Sequence, residues 1–164
     1  MKIKGKKITY ELAQRRLPDG RTILVDVIEH PGAALIVPFY SSQKIVFLRQ
    51  FRAVIGKYLY ELPAGTLDPN ERARTCAHRE LIEETGFRAK RLTKLGAIYP
   101  VPGYSTEVIT IYKAQGLMPE KGTMDEDEVL QSLLMTKSQV RRLFKQGRIR
   151  DAKTICALAF CGWL

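Results

Sequence analysis

Residues 65–87 constrain this chain more than any other segment, because three glutamates fall within five residues near the end of one short predicted helix. Glu80, Glu83 and Glu84 are separated by spacings that place them on one helical face. Like charges in this arrangement repel each other, and folding alone gives no reason for them. Carboxylate oxygens are the ligands that hard divalent cations such as Mg2+ bind. The spacing therefore predicts a metal-binding helix end, with a solvated charged face as the alternative.

The residues around this acidic cluster predict a helix over 69–85. Asp68 would cap its N-terminus, Pro69 would take the first helical position, and Glu71 stands where the reciprocal glutamate of a capping box belongs. Gly86 suits a left-handed residue that ends the helix. An apolar stripe for packing recurs every four residues: Ala73, Ala77 and Leu81.

The acidic cluster lies at the helix C-terminus, where the macrodipole is already negative, so its position costs stability that bound cations would offset. Arg79 precedes Glu80 directly and Glu83 by four residues. We therefore interpret Arg79 as a salt-bridge partner that holds the carboxylates, in preference to a substrate contact.

The whole segment resembles the Nudix box, a pattern of fixed residues over 23 positions. Every specified position is filled: Gly65, Glu71, Arg79, Glu80, Leu81, Glu83, Glu84, Gly86 and Phe87. The resemblance implies hydrolysis of a diphosphate that joins a nucleoside to another group. It also implies structural roles for Gly65, Glu71, Arg79 and Gly86.

Length and composition are those of one globular domain, with 164 residues, 45% hydrophobic and 27% charged. The basic N-terminus runs into a polar strand pattern, which does not resemble a signal peptide, and the longest apolar segment, 155–164, is too short to span a bilayer. The three cysteines have no zinc-site spacing: Cys76, Cys156 and Cys161. We expect them to stay reduced in a cytoplasmic protein. His30 and His78 are isolated and are interpreted as surface or turn residues.

Periodicity and turn signals predict strands, then a helix, then strands, then helices. The predicted strands are 8–12, 21–29, 33–39, 44–49, 58–62, 91–98, 107–114 and 129–135, and the predicted later helices are 137–146 and one that begins at Asp151. The first two strands form a hairpin around Pro18–Gly20, and 33–39 pairs with 44–49. This order predicts an α/β fold, a mixed sheet between helices. The resemblance implies an α/β/α sandwich over 33–164, preceded by an antiparallel β extension over 1–32.

The flanks of the box resemble one Nudix branch, the ADP-ribose and nucleotide-sugar pyrophosphatases. The residues that carry this resemblance are Arg49–Arg52, Tyr60–Gly65, Pro102–Glu107 and the acidic run Asp125–Glu128. The N-terminal β extension is likewise typical of that branch. The products would be AMP and ribose 5-phosphate, or a nucleoside monophosphate and a sugar 1-phosphate.

The resemblance implies a role for each matching residue. The metal ligands would be Glu80 and Glu84, with Glu83 acting through water, the Ala64 carbonyl and Glu128 from the acidic loop. The catalytic groups would be Glu126, as the base that activates water, and Glu83. The substrate would be bound by Arg52 at the diphosphate, Glu107 at the terminal sugar, and Glu61 and Tyr104. The ion would be Mg2+, with Mn2+ as a substitute.

Several assignments keep an alternative. Glu126 and Glu128 are not distinguished as the base, and the acidic loop competes with a solvated turn. One aromatic side chain would stack on the base, or pack in the core instead: Phe51, Tyr58, Tyr99 or Tyr104.

The formal net charge of +10 is interpreted as steering of a phosphorylated substrate together with solubility, since no basic motif interleaved with aromatic residues is evident. Nucleic acid is therefore the lesser candidate partner, and no membrane partner is expected. An RNA 5′-pyrophosphohydrolase and a non-catalytic module that senses ADP-ribose are the competing functions. The apolar residues of 1–30 need cover, and a lone hairpin is marginal in water, which predicts a homodimer joined through these strands.

Overall fold

The computed structural model describes residues 2–122 and 129–164. Its strands are β1 Lys2–Lys4, β2 Thr9–Arg16, β3 Thr22–Glu29, β4 Ala33–Pro38, β5 Lys44–Arg52, β6 Lys57–Glu61, β7 Ala64–Thr66, β8 Phe87–Ile98, β9 Ile109–Pro119 and β10 Leu130–Thr136. Its helices are α1 Ala73–Thr85, α2 Lys137–Lys145 and α3 Ala152–Phe160, with a short 3-10 turn at Ala53–Ile55. None of the described helices is both long and apolar enough to cross a bilayer.

The central sheet has the strand order β7-β4-β9-β8. β4 runs parallel to β9 and antiparallel to β7, so neighbours occupy both of its edges. All six residues of β4 are buried. A short, continuous apolar run of this kind is what a strand covered on both faces requires.

Helices cover both faces of this sheet. Ala34 and Ile36 of β4 pack in a cluster with Ala77 and Leu81 of α1. The alternate residues of β4 pack in a second cluster with α2 and α3, whose buried members include Leu35, Val37, Val140, Leu143, Ala157 and Leu158. Successive side chains of a strand point to opposite faces, so one strand supplies both clusters. The predicted α/β layer arrangement is confirmed.

The predicted pairing of 33–39 with 44–49 is wrong. Both segments are strands, but β5 belongs to a second sheet with the order β10-β5-β6. β9 pairs with all of β4, β7 pairs with Ala33–Leu35 on its other edge, and a single bridge, Phe39 to Ile45, joins the two segments. The four residues 40–43 therefore carry the chain from one sheet to the other.

The predicted start of the box helix is also wrong, whereas its end is confirmed. α1 begins at Ala73, with Arg72 as an extended N-cap that makes no side-chain capping bond. Asn70 adopts a left-handed conformation with φ of 64°, which interrupts any helix that starts at Pro69. Gly86 is left-handed, with φ of 70°, and its N–H donates to the Ile82 carbonyl.

The N-terminal strands form a separate three-stranded antiparallel sheet in the order β1-β2-β3. The predicted hairpin is present, and Gly20 supplies the positive φ of its turn. β3 docks on the 101–107 turn of the same chain: the Ile28 N–H donates to the Tyr104 carbonyl, and the Thr106 N–H donates to the Ile28 carbonyl. The extension therefore contacts the segment that the sequence assigns to substrate binding.

Candidate active site

The box folds as a short strand, a turn and a helix whose acidic end lies against that strand. The Ala64 N–H of β7 donates to the Glu84 carboxylate at 2.8 Å, and Glu84 is buried. Gly65 lies beside Glu80, and a Cβ added to Gly65 would overlap the Glu80 carboxylate. A glycine is required here by close approach and not by its backbone angles.

Arg79 is at the centre of the acidic cluster. Its guanidinium donates to Glu71 at 2.9 Å, to Glu80 at 2.7 Å and to Glu83 at 3.0 Å. It also donates to the Thr66 carbonyl, so it joins α1 to β7. The hydrogen bond with Glu71 is the main cause that raises the pKa of Arg79, which stays charged.

Glu71 completes the turn that leads into α1. Hydrogen bonds from Arg79 lower the pKa of its carboxyl group. Its carboxylate also accepts the Asp68 N–H at 3.0 Å. This bond is one half of the predicted capping box, formed in a turn instead of in the first turn of a helix.

Cys76 packs under the same strand. Its thiol donates to the Gly65 carbonyl at 3.4 Å and is buried. Burial raises its pKa to about 12, with the charges of Glu80 and Glu71 adding to the effect. The thiol is therefore a packing group and not a nucleophile.

Two adjoining cavities form one cleft along β7. The first has a volume of about 270 Å³ and is lined by the box carboxylates Glu80 and Glu83, together with Arg79, Lys7 and Arg52. The second has a volume of about 330 Å³ and extends to Glu107, Asp151 and Lys153. The two cavities share four of their lining residues: Arg52, Ala64, Gly65 and Thr66. The cleft thus connects the acidic helix end with a second pocket that mixes charged and apolar residues.

Two cations of the cleft share one buried carboxylate. Arg52 donates to both oxygens of Glu61, at 2.8 and 2.6 Å, and the Lys153 ammonium group also donates to Glu61. Burial opposes ionisation of Glu61, but the hydrogen bonds and charges of Arg52 and Lys153 outweigh it and lower its pKa. Glu61 is 1% exposed. Its carboxylate therefore orients two cations and is not itself open to the cleft.

α3 presents Lys153 at the rim of the cleft. Asp151 caps the helix by accepting the Thr154 N–H at 3.0 Å, and it also accepts a hydrogen bond from Lys153 at 2.9 Å. The buried Thr154 hydroxyl accepts the Leu62 N–H, which ties α3 to the chain entering the box. The helix start predicted at Asp151 is confirmed.

The remaining predicted site residues take different positions. Glu107 lines the larger cavity, and its carboxylate lies 3.9 Å from the His30 imidazole. Tyr104 is exposed and contacts β3 through its carbonyl. Glu126 and Glu128 lie outside the described residues.

Comparison with known proteins agrees with this geometry. A model of the NUDIX domain matches residues 29–158, most of the chain. The chain belongs to the Nudix family. The match includes the whole cleft except Lys7.

Similar proteins carry related names. An ADP-ribose pyrophosphatase of Bacillus subtilis is 34% identical, over 95% of this chain and 85% of the relative. A methanol dehydrogenase activator of Bacillus methanolicus is 32% identical over the same shares. A GDP-mannose pyrophosphatase of Cronobacter sakazakii is 34% identical, over 93% and 84%. The predicted resemblance to nucleotide-sugar pyrophosphatases is confirmed.

A solved structure supports the same fold. A crystal structure of an ADP compounds hydrolase superposes with a TM-score of 0.81 at 26% identity, covering 96% of this chain and 86% of that one. The α/β/α sandwich implied by the box is therefore the fold of this Nudix chain.

Nudix hydrolases generally need a divalent metal ion, and the box residues fit one chemically. Glu80, Glu83 and Glu84 offer hard oxygen donors at one helix end, and Gly65 leaves room for the Glu80 carboxylate. Within residues 2–122 and 129–164, however, no three acidic, histidine or cysteine side chains converge on one point. Arg79 bridges Glu80 and Glu83, and Ala64 holds Glu84.

Sequence reasoning missed two cleft residues, Lys153 and Lys7. Lys153 follows the cap Asp151 by two residues, but no local pattern relates it to Glu61, which is 92 positions away. Lys7 lies in the connection between β1 and β2 and reaches the cleft only because the N-terminal sheet docks beside the box.

Proposed function

We propose that this Nudix chain hydrolyses the diphosphate bond of ADP-ribose or a related nucleoside diphosphate sugar with the help of Mg2+. The products are a nucleoside monophosphate and a sugar phosphate. The observation that carries the proposal is the continuous cleft, which joins the box carboxylates to a pocket lined by Arg52, Lys153 and Glu107. The names of the pyrophosphatase relatives support it.

Arg52 and Lys153 bind the diphosphate in this proposal. Both line the cleft as cations, and Glu61 fixes their positions from the buried side. A preoriented, planar guanidinium group suits a pair of phosphate oxygens. Glu61 therefore acts as a positioning residue, in place of the direct substrate contact implied by the resemblance.

The carboxylates of α1 would hold the ion. Glu80 and Glu84 are the proposed direct ligands, with Glu83 through water, the Ala64 carbonyl, and Glu128 from the acidic loop. A divalent ion bound there neutralises diphosphate charge and lowers the pKa of a coordinated water. The ion would replace Arg79 as the partner of Glu80 and Glu83.

Glu107 and Tyr104 are proposed to contact the terminal sugar. Glu107 lines the cavity beyond the diphosphate cations, and its carboxylate accepts hydrogen bonds of the kind that sugar hydroxyl groups donate. Tyr104 belongs to the same turn, residues 101–107, and its side chain is exposed. The three free cysteines support a cytoplasmic location.

The acidic loop gives a first prediction. Glu126→Gln is expected to lower kcat about 100-fold with little change in KM, since a general base acts only as the transition state forms. Steady-state kinetics on ADP-ribose measure this. Glu128→Gln is the companion variant, because it is assigned to the ion and should also shift the Mg2+ requirement. If both variants keep wild-type kcat, the loop is a solvated turn and the base lies in the box.

The activity itself is tested with a substrate panel. ADP-ribose, GDP-mannose and a 5′-triphosphorylated RNA are incubated with Mg2+, and a coupled phosphatase reports the released phosphate. Turnover of a nucleotide sugar supports the proposal, and the preferred sugar identifies the substrate. Turnover of the RNA alone would replace it with RNA 5′-pyrophosphohydrolysis. Nucleotide-sugar binding without turnover of any substrate would instead indicate a sensing module.

A homodimer joined through the N-terminal sheet gives a second prediction. Leu12 and Leu24 of the hairpin are 43% and 59% exposed, so this face retains apolar surface that a second subunit would cover. Light scattering of the intact chain should give twice the monomer mass. Deletion of residues 1–30 should give a monomer with sharply weaker substrate binding.

A point variant separates the interface from the fold of the hairpin. Leu24→Glu should also give a monomer, whereas Ser42→Glu, which adds the same charge in the exposed turn before β5, should not. A monomeric wild-type chain at micromolar concentration with normal activity would contradict the homodimer.

A further inference from the structure

A second groove, with a volume of about 530 Å³, lies on the β5–β6 ribbon. Its polar and aromatic lining comes from β5, β6 and the connection between α2 and α3: Arg49, Lys57, Tyr58, Tyr60, Arg148 and Arg150. Among residues 2–122 and 129–164, the lining includes four cations and no carboxylate. None of its residues lines the cleft described above.

The ribbon separates the groove from the cleft by the alternation of its side chains. Arg49 pairs with Tyr60 in the β5–β6 register, so these two residues share a face. Glu61 follows Tyr60 directly and turns to the opposite face, where it meets Arg52. The face that carries Arg49, Tyr58 and Tyr60 therefore serves the groove. Lys57 pairs with Arg52 on the other face, and it lines the groove from the start of β6.

The four cations of the groove have no acidic partner in the part of the chain that the structure describes. Arg148 donates to the Tyr60 hydroxyl at 3.3 Å, and Arg150 donates to the Gly147 carbonyl at 2.8 Å, both uncharged acceptors. In the cleft, by contrast, Arg52 and Lys153 each bind a carboxylate. Cations gathered without counter-charge raise the local positive potential and attract an anion.

Aromatic rings hold two of these guanidinium groups. Arg49 lies over the Tyr58 ring at 4.2 Å, and Arg148 lies over the Tyr60 ring at 5.3 Å. Phe51 contacts Tyr58 with 5.2 Å between ring centroids. A guanidinium group on a ring keeps its edge N–H groups free for phosphate oxygens. The rings and guanidinium planes also offer surfaces on which bases stack.

We propose that this groove binds the phosphate backbone of a single-stranded nucleic acid. Both arginine–tyrosine stacks and the remaining two cations lie in an open surface groove, which suits an extended chain of phosphates and bases. A second copy of this protein fits poorly, because its groove and its N-terminal residues Lys2, Lys4, Lys6 and Lys7 are also basic. The groove could not be predicted from the sequence, because its lining residues come from three separate segments.

The test measures the salt dependence of oligonucleotide binding. Anisotropy of a fluorescein-labelled 12-nucleotide oligouridylate is recorded at several salt concentrations in EDTA. Each phosphate contact to a single strand contributes about −0.7 to the slope of log K against log salt, so four contacts predict about −2.8. Lys57→Gln/Arg148→Gln should bring the slope to about −1.4 and weaken binding roughly 20-fold at 0.1 M salt.

A matched pair and a ring variant make the result specific. Arg91→Gln/Lys94→Gln removes one arginine and one lysine from exposed positions of β8 and should leave the affinity within about twofold of wild type, because neither residue lines the groove. Tyr58→Leu should weaken binding about tenfold with an unchanged slope, since stacking is lost and charge is not.

Three results would overturn the proposal. They are equal losses of oligonucleotide affinity in the groove and β8 variants, the absence of saturable binding at 50 mM salt, and displacement of the oligonucleotide by ADP-ribose. The last result would place the oligonucleotide site in the cleft. Hydrolysis of ADP-ribose by Lys57→Gln/Arg148→Gln is measured in parallel. It should stay at the wild-type level, so that failure of this groove and failure of the proposed activity are distinguishable.

Discussion

Glu84→Gln is expected to lower kcat/KM for ADP-ribose about 10³-fold, equivalent to about 4 kcal/mol of transition-state stabilisation. Glu84 is 3% exposed, and its carboxylate accepts the Ala64 N–H at 2.8 Å. The glutamine oxygen can accept the same bond, so the junction of β7 and α1 should remain folded. The variant lacks the charge that the proposed ion requires.

The control for this substitution is Glu120→Gln. Glu120 is an exposed glutamate paired with Arg88 at 2.9 Å, and it lines neither cavity of the cleft. The activity of Glu120→Gln should stay within about twofold of wild type, because exposed ion pairs contribute little to stability.

Metal removal tests the same site independently. EDTA should abolish hydrolysis by the wild type, and Mg2+ or Mn2+ should restore it. Glu84→Gln activity within tenfold of wild type at saturating Mg2+ would show that Glu84 is not a ligand. Full wild-type activity in chelator would remove the metal from the mechanism.

Local sequence signals predicted the parts of the fold that depend on neighbouring residues. The end of α1 at Gly86 and the cap at Asp151 each follow from one short stretch, and both are confirmed. The predicted start of α1 was wrong because Asn70 adopts a left-handed conformation that the capping pattern does not reveal.

Features assembled from distant segments were not readable from the sequence. β5 leaves β4 for another sheet because β9, more than seventy residues later, occupies the available edge. Lys153 meets Glu61 from 92 positions away in the sequence, and the basic groove needs Arg148 beside Tyr60. The local spacing of the box predicts the proposed metal ligands, whereas the cations around them depend on the tertiary fold.

Arg79→Met is the second substitution for which we expect a large effect, a loss of about 3 kcal/mol in the free energy of unfolding in EDTA at pH 7. Arg79 pairs with Glu71, Glu80 and Glu83, and about a third of its side chain is exposed, which reduces the loss below that of a fully buried pair. Methionine keeps much of the side-chain volume but removes the Arg79 charge from its three carboxylate partners.

The loss should depend on pH in a defined direction. Arg79 lowers the pKa of Glu71 below its ordinary value of 4.5, so the stability from this pair is present above pH 4.5 and is lost as pH falls through the lowered pKa. Urea unfolding of wild type and variant should therefore differ most near pH 7, and the difference should shrink as pH falls through the lowered pKa of Glu71.

Addition of Mg2+ should then show whether Arg79 only stabilises the fold or also competes with the proposed ion for Glu80 and Glu83. If Glu80 and Glu83 face the proposed ion, loss of the competing guanidinium leaves Mg2+ to neutralise them, and Mg2+ should raise the melting temperature of Arg79→Met more than that of wild type. Arg88→Met, which breaks the exposed pair with Glu120, should lose less than about 1 kcal/mol and show no such difference. Equal increases in melting temperature for wild type and Arg79→Met would mean that Arg79 only braces the turn at Glu71. The carboxylates of α1 would then bind the ion without displacing Arg79.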